Sequence, residues 1–480
     1  MLQNTSSTII ALLAAVIVIG VGSSVAIYLG RKTRDSDSWI VAGRSLPLYV
    51  VVFTQFATAT GGGVLVAHVG IAYAAGWSVF IYEIFAALGL VLLIFVAKWL
   101  RRKKFSTVPE ILDTLFGGHR AIKSIAAACT IIVPFGWLVT QFVAFGKLFS
   151  QITGLSVTVL IVIVAAVSLL LVLPGGLLSV AWTDFLFGVF MFVMSIAVAV
   201  YAINMAGGWS GITAAVPEDL WRLPDGLTAA GGSTILLWLF AIVPGTLTNQ
   251  LYYQRIYAAK EVRQVNRGLV LAALATLVAG VYAFCVGIGV RAANPTLGEE
   301  NSEAAAGWFL AQLPTWLLAI YAAFLMATIV STTGSALHSV VTNFVRDLYQ
   351  GLAGGDRSER GLLNLSKLLT VVVTAVGALL AALYPTALDW LVATYAYSAS
   401  ALAAPIFLGY ALRNRWQLRP SSALTAMVGG LLGCAIAQIM DTEVPYVVYG
   451  MGVSIVGMLI TVAVRPRRVP EPETALVEEK

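Results

Sequence analysis

The sequence predicts an all-α membrane protein that crosses the bilayer about 13 times, around a core of two inverted five-helix repeats. The first observation is composition: 59% of the 480 residues are hydrophobic and 11% are charged, whereas soluble domains contain about 25% charged residues. The second is that the apolar residues form separate runs long enough to span a hydrocarbon core. The third is that glycine or proline interrupts two of these runs, five segments apart.

The apolar segments follow one another with mostly short polar connections. They lie at residues 8–29, 46–75, 77–99, 121–149, 155–173, 176–205, 232–257, 267–291, 308–345, 364–384, 387–411, 422–440 and 445–464. An odd number of spans places the two termini on opposite sides of the bilayer. With the N-terminus outside, only Lys147, Arg222 and Arg291 of the 29 basic residues fall on the outer face. The positive-inside rule therefore predicts a multi-pass protein of the cytoplasmic membrane with its C-terminus inside.

Charge and cysteine usage exclude several other classes of function. The net charge of +6 comes from basic residues between the apolar segments, as expected for loops of a membrane protein, so we expect no nucleic-acid partner. All three cysteines lie inside apolar segments, which indicates neither a disulfide framework nor a metal site. No Ser/His/Asp or metal-ligand spacing indicates an enzyme. The expected partners are the bilayer, a small solute and a cation, and the protein is expected to function as a monomer.

The second segment has an unusual centre for a membrane helix. Gly61, Gly62 and Gly63 are consecutive there, and Thr58 and Thr60 precede them. Consecutive glycines allow a helix to unwind, because glycine leaves the helical region at little cost. Unwound backbone at membrane depth is tolerated where it lines a cavity, as in many secondary transporters. A close-packed interface of small residues between two helices is the alternative interpretation.

A second interruption is expected in the seventh segment, at Pro244 and Gly245, because proline removes a backbone donor. Segments two and seven are five apart, so two five-helix units beginning there run in opposite directions. This predicts a 5+5 inverted repeat with broken first and sixth core helices; a proline kink without function is the alternative. The predicted organisation is an N-terminal helix and loop at 1–44, the repeats at 45–206 and 232–411, an extracellular loop at 207–231, two peripheral helices at 412–464 and a tail at 465–480.

Polar side chains inside the segments are candidates for an ion site. Ser331, Thr332 and Ser335 face nearly one way on the ninth segment, where hydroxyls and freed carbonyls suit a small alkali cation. Hydroxyls that bond back to their own helix are the alternative. Asp184 lies within the sixth segment and Glu83 within the third, where a carboxylate is costly and indicates function. A capping role for Asp184, and for Glu83 either a proton-bearing role or a bond to a neighbouring helix, remain open.

Further residues are candidates for contact with a solute. Asn249 follows the second interruption, Gln141 lies in the fourth segment, and Tyr395 lies in the eleventh. Arg255 is expected at the membrane interface. The three histidines show no metal spacing, and His68 and His338 are interpreted as packed or polar-contact residues.

Five stretches resemble the sodium:solute symporter family, which has the inverted-repeat fold of the leucine transporter. They are AGRSLP at 42–47, FATATGGG at 56–63, GGLLSVAWTD at 175–184, QRIYAAK at 254–260 and STTGS at 331–335, the last running to RDLY at 346–349. The resemblance implies that Na⁺ binds the carbonyls of Ala57, Thr60 and Thr328 and the hydroxyls of Ser331 and Thr332. It also implies a second cation at Asp184 and Ser335, although Gly334 replaces a hydroxyl that such members carry.

The same resemblance implies a sodium-coupled secondary active symporter that imports a small polar organic solute by alternating access. The residues expected at the solute are Thr58, Ala59, Gly61, Val64, Glu83, Gln141, Gly245, Asn249 and Tyr395. Ala59 and Gly245 replace tryptophans of the choline branch, which argues against choline. Glu83 matches a carboxylate of sugar transporters, but Val64 replaces a polar partner there. A proton-coupled or uncoupled carrier of the same fold and a membrane sensor domain are the alternatives.

Overall fold

The computed structural model describes residues 5–31, 36–173, 176–350 and 359–464. Most of these residues are helical, and a single isolated bridge, between Leu46 and Ala259, is the only β-type pairing among them. The predicted tail at 465–480 and most of the loop that follows the ninth segment lie outside the described residues.

Each predicted apolar segment contains an apolar helix, and we number these helices α1 to α13. Their bounds are α1 Thr5–Gly30, α2a Leu48–Ala59 and α2b Gly63–Ala75, α3a Ser78–Leu92 and α3b Ile94–Lys103, α4 Arg120–Thr153, α5 Val157–Val172, α6 Gly176–Met205, α7a Gly232–Thr248 and α7b Gln250–Ala258, α8 Val262–Ala293, α9 Thr315–Asn343, α10 Glu359–Leu383, α11 Ala387–Ser398, α12 Pro420–Ile439 and α13 Tyr446–Val464.

The predicted all-α membrane class is confirmed, and the number of spans is close to the prediction. Among the described residues, 10 helices are long and apolar enough to cross a membrane, and counting each of the bent pairs α2 and α3 as one span raises the number to 12. Helix α5 is a shorter apolar helix and accounts for the remaining predicted segment.

The break in the first core helix is confirmed. Helices α2a and α2b meet at an angle of 54°, and Thr60 between them has the non-helical torsion angles φ −94° and ψ 72°. The chain re-enters a helix when the amides of Val64 and Leu65 donate to the carbonyl of Gly61. Its first turns are π-helical, from Gly63 to His68, a form that often occurs at functional sites.

The predicted position of the second break was wrong. Pro244 and Gly245 lie inside the continuous helix α7a, and the interruption occurs at Asn249, with ψ at 113°. The Asn249 side chain then accepts a hydrogen bond of 3.0 Å from the amide of Leu251. A proline costs a membrane helix one hydrogen bond, which neighbouring groups can compensate. Asparagine, by contrast, is among the preferred residues for starting a new helix. The hydrogen bond from the Leu251 amide to the Asn249 side chain therefore determines where the helix is interrupted.

Helix α9 lies at the centre of the bundle and is buried along almost its whole length from Leu317 to Asn343. It packs against α1, α4, α6 and α2a. Helices α12 and α13 pack mainly against each other and the segment that continues α11. They expose many large apolar side chains, as do α1 and α10, and such faces suit contact with lipid.

Backbone and side-chain contacts close the bundle at both ends. At the end that carries Arg44 and Arg101, which we call the basic side, the amide of Leu46 donates to the carbonyl of Ala258 (3.0 Å). Arg101 donates there to the carbonyl of Ala259 (2.9 Å). At the opposite end, Glu303 pairs with Lys147 and accepts from the first amides of α11. These contacts connect neighbouring elements on both sides of the two breaks.

Close packing at the first break gives a stability prediction. A Cβ atom on Gly62 would lie 2.5 Å from the Cβ of Ala144, whereas one on Gly20 in α1 would meet nothing within 4 Å. We expect Gly62→Ala to destabilise the protein by about 1–3 kcal/mol because it overpacks a rigid contact. Gly20→Ala, the matched control, should leave stability unchanged or slightly raised. Melting temperatures in detergent measure both effects, and equal values for the two variants would contradict the close approach.

Candidate functional site

The break in α2 lies against the hydroxyl groups of α9. Thr332 donates a hydrogen bond from Oγ1 to the carbonyl of Ala57, at 3.2 Å. A Cβ on Gly61 would lie 2.9 Å from the same Thr332 oxygen. The Thr60 hydroxyl is buried and has no hydrogen-bond partner among the described residues. The last turn of α2a, the glycine triplet and this part of α9 therefore form one polar junction inside the bundle.

The other hydroxyls of α9 take different partners. Ser331 donates to Oδ1 of Asp184 at 2.6 Å, which ties the junction to α6. Thr328 and Thr333 donate to carbonyls of their own helix. The back-bonding alternative was wrong for the three hydroxyls it concerned, because Ser331, Thr332 and Ser335 donate to other helices. Because Ser331 uses its proton on a carboxylate, the lone pairs of its oxygen stay available to another group.

Asp184 and Arg255 form an ion pair in the middle of the protein. Arg255 Nη2 lies 3.2 Å from Asp184 Oδ2, and both side chains are fully buried. The expectation that Arg255 lies at the membrane interface was therefore wrong. Helix α7b is buried along its whole length, and the Asp184 carboxylate offsets the cost of burying the guanidinium.

Hydroxyl groups complete the surroundings of this pair. Asp184 Oδ2 accepts from Thr54 (2.7 Å) and Ser335 (3.2 Å). The guanidinium donates to Thr58 (2.8 Å) and to Ser335, and its Nη1 donates to the carbonyl of Leu251 (3.0 Å). A buried charge that loses its only counter-charge destabilises a protein by about 3–5 kcal/mol, so this cluster holds α2a, α6, α7b and α9 together.

An enclosed cavity lies beside the break, on the α2b side. Its lining residues are Ala59, Gly61, Gly63, Val64, His68, Tyr82, Glu83, Ala86, Leu90, Trp137, Gln141, Tyr252, Thr276, Leu391 and Tyr395. Aromatic rings dominate the wall: Trp137 stands edge-on to both Tyr252 and Tyr395, with ring centroids 6.4 and 6.1 Å apart. The ring of Tyr82 lies 4.4 Å from that of His68.

The only carboxylate in the cavity wall is paired with a histidine. His68 Nδ1 and Glu83 Oε1 are 2.6 Å apart, and both side chains are almost completely buried. Three further polar atoms are buried without a partner in the described residues: His68 Nε2, the Tyr82 hydroxyl and Trp137 Nε1. Buried polar atoms normally have hydrogen-bond partners, so three unsatisfied ones in a single cavity indicate a place for a polar ligand.

Amide side chains cap both new helix starts. Gln141 Oε1 accepts from the amide of Gly62 at 2.7 Å, and its Nε2 donates to the carbonyl of Trp137. Asn249 caps α7b in the same way. Helix N-termini attract anions when their amides are free, so these two caps reduce the attraction of both breaks for a carboxylate.

The structure brings together most of the residues expected at a solute. Ala59, Gly61, Val64, Glu83, Gln141 and Tyr395 line the cavity, but Thr58, Gly245 and Asn249 do not. Thr58 instead contacts Arg255, and Gly245 packs against the ring of Tyr395.

Sequence reasoning missed His68, Tyr82, Trp137 and Tyr252 as lining residues. The sequence did contain a signal for His68. It lies one helical turn after Val64, so the two side chains face the same side of the helix. The contact between His68 and Glu83 agrees with the interpretation of His68 as a packed or polar-contact residue, but its position in the cavity wall was not predicted.

A broken helix at a hydroxyl-lined junction, beside an enclosed cavity in a bundle of membrane helices, defines a secondary active transporter. The sequence model of the sodium:solute symporter family matches residues 39–433. The chain belongs to the sodium:solute symporter family, which confirms the resemblance of the five sequence stretches.

Curated relatives transport chemically different solutes. The sodium/glucose cotransporter of Vibrio parahaemolyticus is 25% identical over 406 residues, covering 76% of this chain and 72% of that protein. The high-affinity proline transporter of Bacillus subtilis (strain 168) is 26% identical over 372 residues, covering 73% of this chain and 76% of that protein. Membership of the family thus implies sodium and a solute as partners but leaves the class of solute open.

Solved structures share the architecture. A Na⁺-coupled sialic acid symporter in a substrate-bound, outward-open state has a TM-score of 0.79 at 19% identity, with 96% of this chain and 99% of that chain covered. MhsT in complex with L-phenylalanine has a TM-score of 0.55 at 14% identity, with coverages of 86% and 97%. These likenesses confirm the leucine-transporter-like fold with its 5+5 inverted repeat.

The His68–Glu83 pair gives the second prediction. We expect His68→Ala to destabilise the protein by about 1–3 kcal/mol, because Glu83 is left buried without its hydrogen-bond partner. His68→Gln, which keeps a donor group on a side chain of similar length, should restore at least half of the loss. Thermal unfolding in detergent without added solute measures both, and an unchanged melting temperature for His68→Ala would rule out the pairing.

Proposed function

We propose that this protein is a sodium-coupled symporter that imports a small, uncharged polar solute by alternating access. The observation that best supports it is the contact between Thr332 Oγ1 and the Ala57 carbonyl. That contact places two oxygen atoms, one from the broken helix and one from the central helix α9, next to each other, and oxygen is the ligand that hard cations prefer. The proposed location is the cytoplasmic membrane, with the N-terminus outside and the protein functioning as a monomer.

The proposed sodium site uses the carbonyls of Ala57, Thr60 and Thr328 with the hydroxyls of Ser331 and Thr332. Hard cations of this size bind oxygen at about 2.3–2.6 Å, so neighbouring ligands lie about 3–3.5 Å apart. The separation of 3.2 Å between the Ala57 carbonyl and Thr332 Oγ1 fits that spacing. The proton of Ser331 is directed to Asp184, which leaves the serine oxygen free to coordinate the ion.

Coupling follows from where the ion would bind. Sodium between α2a and α9 stabilises the arrangement in which these helices meet, and the solute cavity begins at Ala59 and Gly61 on the same broken helix. An ion that prefers one arrangement shifts the population towards it and raises the affinity for a solute that prefers the same arrangement. An inward sodium gradient then drives import.

The charges around the cavity support an uncharged solute. Among its lining residues there is no lysine or arginine, and the Glu83 carboxylate is already paired with His68. The two helix N-termini that could bind a carboxylate are capped by Gln141 and Asn249. The unsatisfied atoms of His68, Tyr82 and Trp137 offer hydrogen bonds, which suits a solute with hydroxyl or amide groups.

Coupling to protons is the second candidate, and the His68–Glu83 pair favours it. Buried histidine and carboxylate side chains are typical members of the proton relays of membrane transporters, and these two lie 2.6 Å apart in the cavity wall. If protons are coupled, binding of the solute should depend on pH and should not depend on sodium. If sodium is coupled, binding should depend on sodium and should not depend on pH.

Removal of the α9 hydroxyls tests the ion site. We expect Ser331→Ala and Thr332→Val each to raise the sodium concentration for half-maximal uptake at least about 10-fold, because a hydrogen-bond-like contact to a charged group contributes about 1.5–3 kcal/mol. Thr333→Val is the matched control, since the Thr333 hydroxyl donates to the carbonyl of Ile329 on its own helix. Gradient-driven uptake into proteoliposomes is the assay. Wild-type sodium dependence in both site variants would refute the site.

A thermal-shift panel tests the class of solute. Sugars, polyols and neutral amides should stabilise the purified protein in sodium more than in potassium, while carboxylates and quaternary amines should not. Stabilisation by carboxylates alone would exclude the uncharged class.

A variant of the cavity wall tests the contact with a stabilising solute. Trp137→Phe keeps an aromatic ring but loses the indole N–H, so the half-saturating solute concentration should rise about 2- to 12-fold. The sodium dependence should stay as in the wild type.

A further inference from the structure

A groove on the outer face of the bundle lies between α1 and α6. Its walls are formed by α1 from Ser24 to Leu29 and by Trp182, Phe185 and Leu186 of α6, and its volume is about 460 Å³. Tyr28 in one wall is 60% exposed and Leu186 in the other is 45% exposed. Exposed apolar surface of this kind contacts lipid in a membrane protein, so the groove opens to the bilayer.

The groove lies close to the basic side of the protein. Tyr28 is in the last turn of α1, which ends at Gly30, and Trp182 is in the second turn of α6, which begins at Gly176. A Cβ atom on Gly176 would lie 2.5 Å from the ring of Trp39, and α6 contacts the turn at 42–44 that contains Arg44. The groove therefore begins near the membrane surface and continues towards the hydrocarbon.

Aromatic side chains surround the same region. The ring of Tyr49 in α2a is edge-on to those of Trp182 and Phe185, with centroids 6.2 and 5.3 Å apart, and Tyr49 is 51% exposed. Tyrosine and tryptophan are enriched where membrane proteins cross the boundary between lipid headgroups and hydrocarbon. The aromatic residues thus agree with the depth that the helix ends indicate.

A positive charge follows at the end of α1. Residues 1–30 contain no charged side chain, and the first one belongs to Arg31, which is exposed. Lys32 and Arg34 are the next charged residues in the sequence, before the first acidic residue, Asp35. Among the described residues that line the groove, none is charged. An apolar groove therefore ends beside an exposed guanidinium.

We propose that this groove and Arg31 bind a phospholipid with an anionic headgroup. One acyl chain lies between α1 and α6, and the phosphate lies at the guanidinium. The apolar walls suit an acyl chain, because the hydroxyl of Ser24 is used within its own helix, where it donates to the carbonyl of Gly20 (2.7 Å). Basic residues at the membrane surface attract anionic lipids, and arginine matches the geometry of a phosphate group.

The bound lipid joins α1 to the rest of the bundle. Ser179 of α6 already donates to the carbonyl of Ala26 at 3.1 Å, and the lipid adds apolar contacts to both helices beside that bond. Helix α1 precedes residues 39–433, which the family model matches. The site therefore uses a segment outside the shared core, and it depends on neither the sodium site nor the solute cavity.

Native mass spectrometry of the purified full-length protein tests the charge, with dioleoyl phosphatidylglycerol and dioleoyl phosphatidylcholine as probes. The wild type should bind its first phosphatidylglycerol about fivefold more tightly than its first phosphatidylcholine, which is the effect of one basic residue at a membrane surface. Arg31→Gln should remove this preference and leave phosphatidylcholine binding unchanged. Arg102→Gln, the matched control at an exposed position near the end of α3b, should keep the preference.

A bulky side chain tests the groove. In the wild type the first lipid should bind more tightly than later ones, whereas in Leu186→Trp, which fills the groove, this difference should be lost. Leu432→Trp on α12 is the matched control, because Leu432 is also exposed on an apolar surface, at 56%. It should bind lipid as the wild type does.

Equal affinity of the wild type for the two lipids, a preserved preference in Arg31→Gln, or the same loss in both tryptophan variants would overturn the proposal. A dimer that forms without lipid, and that Leu186→Trp abolishes, would show that a second copy of the chain covers the groove and would overturn it too. Arg31 is exposed, so Arg31→Gln decides the question if Leu186→Trp does not fold.

Discussion

A helix that is interrupted inside a membrane must find new partners for the backbone groups it gives up, because the hydrocarbon supplies none. This constraint shapes the centre of the protein. Gln141 takes the freed amide of Gly62 and Thr332 takes the carbonyl of Ala57. The first partner comes from α4 and the second from α9. The break in α2 is thus stabilised by the same helices that surround the polar junction and the cavity.

The buried carboxylate of Asp184 connects the two halves of this arrangement. One oxygen accepts from Ser331 at the junction, and the other binds Arg255 on α7b. A change in position of either broken helix therefore alters the contacts of one carboxylate. Such a shared group gives a physical route by which a change at the α9 hydroxyls can bias the position of α7b.

The cavity beside the break combines an aromatic wall with few charges. Trp137, Tyr252 and Tyr395 provide apolar surface and hydrogen-bonding groups in one place, and the His68–Glu83 pair leaves no free counter-charge. Contacts connect the helices at both ends of the bundle, through Glu303 on one side and the Leu46–Ala258 hydrogen bond on the other. Alternating access would require these contacts to open in turn.

The sequence by itself determined the membrane class, the spans and the break at Gly61–Gly63, because hydropathy and glycine act over short stretches of chain. It also identified Ser331, Thr332, Asp184 and Glu83 as polar groups at depth. Only the tertiary structure decided that α7 breaks at Asn249, that Arg255 is buried on Asp184 and that His68 pairs with Glu83. The energy of a buried charge depends on partners distant in sequence and close in space, and no local pattern records those distances.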